Sequence, residues 1–190
     1  MNKFKLFLVL VPSAFALTGC LQMLSPTVGD FGSGVYQINT QSNAFGSREA
    51  LRSKLIGKAE EICKDKGFDE ALLLDSDGFL AEGPGANLFF EKEGKLFTPQ
   101  LGNILPGITR STVLELAEQL GLEVQQGNFT KEDLLQADSA FYCGTAAEVV
   151  GIASVDDYQF PKNWNDSLGK KLQNAYSLLV RDPLKQNHFN

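Results

Sequence analysis

Histidine, cysteine and tryptophan are scarce in this 190-residue chain, which has one His, three Cys and one Trp. His188 lies in a polar C-terminal stretch, and Cys20, Cys63 and Cys143 do not fall at a metal-ligand spacing. Zinc and iron sites depend on clustered Cys and His ligands, so we predict no metal site. Cys63 and Cys143 allow one disulfide but do not require one.

The chain also has fewer basic than acidic residues, and it has few long apolar runs. Lys and Arg number 17 against 23 Asp and Glu, which gives a net charge of −6, and no basic run is present. Proteins that bind nucleic acids present a basic surface, so we expect no nucleic-acid partner. No apolar stretch reaches the about 20 residues that a membrane-spanning helix needs.

The N-terminus has a basic start, an apolar run and a terminal cysteine. Lys3 and Lys5 precede the 12 residues Leu6–Leu17, and Leu17-Thr18-Gly19-Cys20 follows. This order resembles a bacterial lipoprotein signal, which implies that residues 1–20 are a signal peptide and that Cys20 is lipidated. The mature chain would then be anchored to a membrane. The alternative is a buried or fraying N-terminal helix.

The next segments change in character. Residues 21–33 contain Pro and Gly and are predicted to be a tether. Residues 34–67 are predicted to be a small lipoprotein-like segment, with a strand over 34–40 and a helix from Arg48 to about Lys66. Ser47 can cap this helix, and Gly67 can end it.

Strand and helix patterns alternate after Gly67, which indicates an α/β fold. We predict strands at 71–74, 79–82, 87–91, 95–98, 122–125, 139–143 and 149–154, and helices at 108–120, after Thr130 and at 168–179.

Four stretches occur in one order: DEALLLDSDGFLAEGPGANLFF, LGNILPGITR, ADSAFYCGTAAEV and DSLGKKLQNAYSLLVR. Together they resemble the C-terminal half of the branched-chain amino-acid aminotransferases, pyridoxal-phosphate enzymes of fold type IV. The resemblance covers residues 68–181 and leaves 182–190 as a tail. It implies an α/β pseudobarrel, incomplete at its N-terminal edge, that follows a signal and a short strand-helix appendage.

The same resemblance implies a cofactor, substrates and partners. The cofactor is pyridoxal 5'-phosphate, and the substrates are leucine, isoleucine and valine with 2-oxo acids such as 2-oxoglutarate. The family forms homo-oligomers. D-amino-acid transaminases and aminodeoxychorismate lyases share the fold, but the NILPGITR and CGTAAEV segments favour the branched-chain enzymes.

Five residues match cofactor or substrate contacts. Glu82 precedes a Gly-Pro-Gly turn and can keep the ring nitrogen protonated, as the cofactor's electron-sink chemistry requires. Ile108 and Thr109 open a predicted helix whose amides can bind phosphate. By resemblance, Thr145 contacts the phosphate, and Thr145 and Ala146 contact the substrate carboxylate.

The Schiff-base lysine of the family is not identifiable. The matching position is Arg48, whose guanidinium stays protonated and cannot replace a lysine amine. Lys54 and Lys58 are weak candidates, because both lie on the predicted helix and are better explained as solvated side chains. The family's smaller N-terminal domain is not recognisable either, so we expect this chain alone to be inactive.

Two functions therefore compete. One is transamination of branched-chain amino acids, a cytoplasmic activity in the family. The other is a membrane-anchored lipoprotein whose aminotransferase-derived domain is inactive. A gene fusion, or a join made during sequence assembly, explains why both signals occur in one chain.

Overall fold

The computed structural model describes residues 2–6, 26–30, 32, 34–39, 47–102 and 104–181. Strands and helices alternate along these residues, as the α/β expectation requires. The strands are β1 (Asn2–Leu6), β2 (Thr27–Asp30), β3 (Tyr36–Asn39), β4 (Glu70–Leu72), β5 (Asn87–Lys92), β6 (Lys95–Pro99), β7 (Val124–Gly127), β8 (Ser139–Gly144), β9 (Glu148–Val155) and β10 (Tyr158–Gln159). The helices are α1 (Arg48–Asp65), α2 (Ile108–Gln119), α3 (Lys131–Leu134) and α4 (Leu168–Arg181), and a 3-10 turn spans Trp164–Asp166.

One large mixed sheet organises the chain. Its strands follow the order β4-β1-β9-β8-β5-β6-β7, and β10 pairs with β9. The predicted hairpin around residues 92–94 is confirmed, since β5 and β6 run antiparallel with Phe90 opposite Phe97. β5 also pairs antiparallel with β8, and β6 pairs parallel with β7.

The central strands β5 and β8 are buried on both faces of the sheet. Side chains alternate between the faces of a strand. Leu88 and Tyr142 accordingly pack in one apolar cluster, whereas Phe89 and Phe141 pack in another with α2 and α4. The Phe89 and Phe141 rings stack with centroids 5.1 Å apart. This double burial holds the ends of β5 and β8, where the predicted site residues lie.

Helix α1 begins where the sequence predicted. The Ser47 side chain accepts a hydrogen bond from the Ala50 amide at 3.1 Å, which confirms the cap. Ala59 and Cys63 pack in one cluster with Ile38 of β3 and Ala71 of β4. The segment 34–67 therefore shares a core with the strands that follow it.

The N-terminal residues differ from two expectations. The expected tether contains a strand, because β2 pairs antiparallel with β3 and its backbone hydrogen bonds outweigh the local Gly and Pro signals. The basic start of the expected signal forms β1, which lies parallel between β4 and β9. Lys3, Phe4, Lys5 and Leu6 alternate between polar and apolar residues, a pattern that suits a strand. β1 thereby separates β4 from β9 in the large sheet.

Cys20 and the tail 182–190 lie outside the described residues. Among the residues that are described, no helix has both the length and the apolar character needed to cross a membrane. Cys63 and Cys143 are both buried, and no disulfide joins them.

Candidate functional site

Glu82 lies at the centre of the candidate site. It follows the Leu80–Leu74 bridge, and its side chain is 5% exposed. Its Oε2 accepts hydrogen bonds from the Leu105 amide at 3.1 Å and from Asn87 Nδ2 at 3.2 Å. Its Oε1 accepts an ion-pair hydrogen bond from Arg52 Nη2. Burial raises the pKa of Glu82 above its ordinary value, against the lowering effects of the Leu105 amide and Arg52.

Asn87, the first residue of β5, connects Glu82 to the chain that leads into α2. Its Nδ2 donates to Glu82 and also to the Leu105 carbonyl at 2.9 Å. Gly107 lies so close that a Cβ built on it would be 2.1 Å from Asn87 Oδ1. Gly107 also has a φ of +52°, which L side chains rarely adopt. The glycine is therefore required both by its conformation and by the space around it.

The start of α2 leaves backbone donors for an anion. Gly107 is the N-cap and provides no side-chain hydrogen bond. The helical hydrogen bonds begin with the Ser111 amide, which donates to the Gly107 carbonyl. The amides of Ile108 and Thr109 belong to the first turn, which has no carbonyl partner within a helix. The Thr109 side chain is buried and that of Ile108 is exposed. These two amides form a helix N-terminus suited to phosphate.

Thr145 and Ala146 lie in the turn between β8 and β9, and both are exposed. Gly144 packs against the Gly-Pro-Gly turn after Glu82, since a Cβ on Gly144 would be 2.6 Å from the Gly85 carbonyl oxygen. Asn87 pairs with Cys143 across β5 and β8. The fold thus brings the three predicted turns, after Glu82, before Ile108 and around Thr145, to the same end of these two strands.

The lysine candidates lie on different faces of α1 from Arg52, which contacts Glu82. Successive residues are about 100° apart around the helix axis. Lys54 is therefore about 200° around the axis from Arg52, and Lys58 is about 240° from it, counted in the same direction. The Lys58 amine pairs with Glu61 at 2.5 Å. Neither lysine shares a helical face with the residue that contacts Glu82. Lys54 and Lys58 therefore lie on other faces of α1 than the one that meets Glu82.

Two residues of the site were missed by the sequence reasoning. Asn87 lies inside the EGPGANLFF segment. A polar amide followed by the apolar residues of a predicted strand, five residues after the predicted acid Glu82, could have identified it as a site residue. Arg52 lies one helical turn after Arg48, on the same face of α1. That spacing indicated a shared face, but nothing in the sequence indicated which carboxylate the face meets. Within the described ranges, no group of three or more His, Cys, Asp or Glu side chains could hold a metal ion.

Comparison with known proteins identifies relatives of this arrangement. The family model described as amino-transferase class IV matches residues 55–155. A branched-chain-amino-acid aminotransferase of Pseudomonas aeruginosa is 37% identical over 145 residues, which are 76% of this chain and 47% of the relative. The corresponding Escherichia coli K12 protein is 39% identical over 140 residues, covering 73% of this chain and 44% of the relative.

Solved structures of similar proteins agree. The branched-chain amino acid aminotransferase of Thermobaculum terrenum in its PLP-bound holo-form matches with a TM-score of 0.67 and 37% identity, over 71% of this chain and 45% of that chain. The Escherichia coli enzyme matches with a TM-score of 0.62 and 39% identity, over 68% of this chain and 43% of that chain. The chain thus spans about half the length of the relatives it matches.

Proposed function

Because the chain belongs to the class IV aminotransferase family, we propose that residues 68–181 form a pyridoxal-phosphate-binding domain of the branched-chain aminotransferase type. One contact carries this proposal. The Leu105 amide donates to Glu82 at 3.1 Å, so the predicted ring-nitrogen partner is joined directly to the segment that opens α2. A carboxylate and a helix N-terminus held together in this way suit a ligand with a basic ring and a phosphate.

The residues present fit such a cofactor at both ends. Glu82 is buried and its pKa is raised, so it can share a proton with a ring nitrogen. The amides of Ile108 and Thr109, which begin an uncapped helix, can hold the phosphate. When bound, pyridoxal phosphate supplies an electron sink for charge developing at the substrate α-carbon.

The remaining predicted contacts face the exposed side of this arrangement. The Thr145 hydroxyl can add a donor to the phosphate, and the amides near Ala146 can bind a carboxylate of an amino acid or 2-oxo acid. Similarity to branched-chain enzymes supports leucine, isoleucine and valine, with 2-oxoglutarate, as the ligands of that position. The apolar side chains of Leu101, Leu105 and Ile108 are exposed beside the site, which supports a homo-oligomer that covers them.

Covalent attachment and turnover are not part of the proposal. Arg48 is at the position that the resemblance assigns to the lysine, and an arginine cannot exchange its proton near neutral pH. Lys54 and Lys58 do not share the helical face of Arg52. We therefore propose a domain that binds the cofactor without exchanging amino groups between leucine and 2-oxoglutarate.

Calorimetric titration with pyridoxamine phosphate tests the proposal, because that ligand needs no lysine. Binding should be weakened in Thr109→Val, which removes the hydroxyl beside the two amides, and lost in Glu82→Gln, which removes the ring partner. Thr112→Val is the matched control, since the Thr112 hydroxyl lies on the exposed side of α2 and bonds the Ile108 carbonyl. If Thr109→Val and Thr112→Val bind the ligand equally well, the Thr109 hydroxyl does not contact the phosphate, and if Glu82→Gln also binds as tightly as the wild type, the proposed function is wrong.

A second candidate function rests on the Leu17-Thr18-Gly19-Cys20 segment. We propose that Cys20 is lipidated and that the chain is anchored to a membrane, with the aminotransferase-derived domain inactive. Cleavage before Cys20 would remove β1 and leave β4 and β9 without their shared neighbour. Labelled palmitate should enter the wild-type protein and not Cys20→Ala. Cytoplasmic protein that retains Met1 would exclude this function.

A further inference from the structure

Three donors surround the carboxylate of Glu82, and one of them carries a full positive charge. The Leu105 amide and Asn87 Nδ2 share Oε2, whereas Arg52 Nη2 pairs with Oε1. Arginine remains protonated in proteins. The chain therefore supplies its own counter-ion to the carboxylate that we assign to the cofactor ring.

Arg52 approaches Glu82 from the solvent side. The Glu82 side chain is 5% exposed, and that of Arg52 is 39% exposed. Of the other two donors, Asn87 is itself buried and also bonds the Leu105 carbonyl, whereas Leu105 is exposed. The guanidinium thus occupies Oε1, the carboxylate oxygen that neither of the other two donors uses.

The position of Arg52 is set by a well-anchored helix. Ser47 caps α1 five residues before it, and Ala59 and Cys63 pack the same helix against β3 and β4. Arg52 is therefore part of an ordered element, and its contact with Glu82 follows from the packing of α1.

We propose that Arg52 occupies the place of the ring nitrogen beside Glu82 and competes with a protonated pyridine ring for this carboxylate. The inference rests on the proposed function, because it takes Glu82 as the ring partner. One buried carboxylate neutralises one positive charge, and a second cation beside it is repelled. Arg52 is then a specificity-determining residue that weakens binding of the ring and leaves the phosphate-binding amides unchanged.

The test compares two ligands in three proteins. Pyridoxamine phosphate reports on the ring and the phosphate together, and inorganic phosphate reports on the phosphate position alone. Arg52→Met should bind pyridoxamine phosphate at least about tenfold more tightly than the wild type. Its affinity for inorganic phosphate should stay the same. Lys64→Met is the matched control, because it removes one positive charge from an exposed position of α1 and should change neither affinity.

Two further measurements keep the inference testable. In the unliganded protein, Arg52→Met should raise the pKa of Glu82 further, as measured by carbon NMR of its carboxyl group, because Arg52 lowers that pKa. Adding Glu82→Gln to Arg52→Met should remove the gain in affinity. If Arg52→Met does not fold, Arg52→Gln is the second variant.

The outcomes separate the two proposals. If the wild type binds pyridoxamine phosphate and the arginine variant binds it equally or more weakly, competition by Arg52 is wrong and the binding function stands. If neither protein binds it, both proposals are overturned. If the ligand binds the wild type while the Glu82 carboxyl signal stays unchanged, the ring does not reach Glu82, and the competition is again overturned.

Discussion

Asn87 donates through a single nitrogen to both Glu82 Oε2 and the Leu105 carbonyl, at 3.2 and 2.9 Å. This side chain, together with the Leu105 amide, fixes the acid of the candidate site relative to the segment that opens α2. The two groups come from different parts of the chain, 5 and 18 residues away from Asn87. The geometry of the site depends on that bridge.

Replacing Asn87 with leucine should destabilise the fold by about 1–3 kcal/mol, because buried acceptors lose their donor. Urea unfolding measures the change. Asn128→Leu is the control, since Asn128 is exposed and accepts from the exposed Gln100, and it should change the unfolding free energy by no more than about 0.5 kcal/mol. Equal effects of the two substitutions would show that the Asn87 bridge contributes no special stability.

The raised pKa of Glu82 predicts a pH dependence of stability. The folded state holds the Glu82 proton more tightly than the unfolded state, since burial raises the folded pKa above 4.5. The associated stability is fully present below pH 4.5 and is lost as the pH rises through the raised pKa.

Comparison with Glu82→Gln isolates this effect, because glutamine does not titrate and the other carboxyl groups are common to both proteins. The unfolding free energy of the wild type minus that of the variant should fall as the pH rises above 4.5. A difference that rises with pH would mean that Arg52 and the Leu105 amide outweigh burial, and that the folded pKa is lowered.

Arg48→Lys should restore covalent attachment of pyridoxal phosphate at position 48. A lysine amine can lose its proton and react with the aldehyde, whereas a guanidinium cannot. Position 48 lies one turn before Arg52 in α1, on the same helical face. Borohydride reduction followed by peptide mass spectrometry locates the attached cofactor. Arg48→Gln is the control, and labelling of residue 48 no stronger than that of the exposed Lys64 would count against the assignment.

Glu91 should be a stabilising residue remote from the site. Its fully buried carboxylate pairs with Lys162 and accepts from the Ser139 hydroxyl at 3.0 Å and the Leu168 amide at 2.8 Å. Glu91→Gln should lower the unfolding free energy by about 2 kcal/mol, the usual size of a charge-assisted hydrogen bond. Denaturant titration measures the loss.

Glu148→Gln is the matched control for that change, because Glu148 pairs with Arg181 at the surface. Exposed pairs contribute about 0–1 kcal/mol. If Glu91→Gln lowers the unfolding free energy no more than Glu148→Gln does, the cost of desolvating the buried Glu91 carboxylate equals the stabilisation that its partners provide.

The two buried thiols should be unreactive in the folded protein. Cys63 and Cys143 lie in separate apolar clusters, and burial raises the pKa of Cys143 to about 12. The thiolate is the reactive form, so little is available at pH about 8. In Cys20→Ser, an aromatic disulfide reagent should label no thiol before urea is added and two thiols after it. Labelling of Cys143 in the folded protein would contradict its burial.

Local patterns predicted most of the secondary structure. The helices α1, α2 and α4 and the β5–β6 hairpin were predicted because each carries a clear period and a turn or cap at its ends. The strand β2 was missed, since Thr27–Asp30 has a glycine and little apolar content. Its pairing with β3 supplies hydrogen bonds that no local pattern records. β1 was read as a basic start for the same reason, because its neighbours β4 and β9 lie far along the chain.

The α/β class, the family resemblance and the residue types of the site follow from the sequence alone, because turns, caps and motifs are local features of the chain. The contacts that those residues make depend on how the chain folds. Glu82 was predicted as a ring partner, yet the packing of α1 brings Arg52 to its carboxylate. Such a contact joins residues 30 positions apart, and it depends on how a helix packs on a sheet. A helical period shows which residues share a face, and the folded chain alone sets which charge that face neutralises.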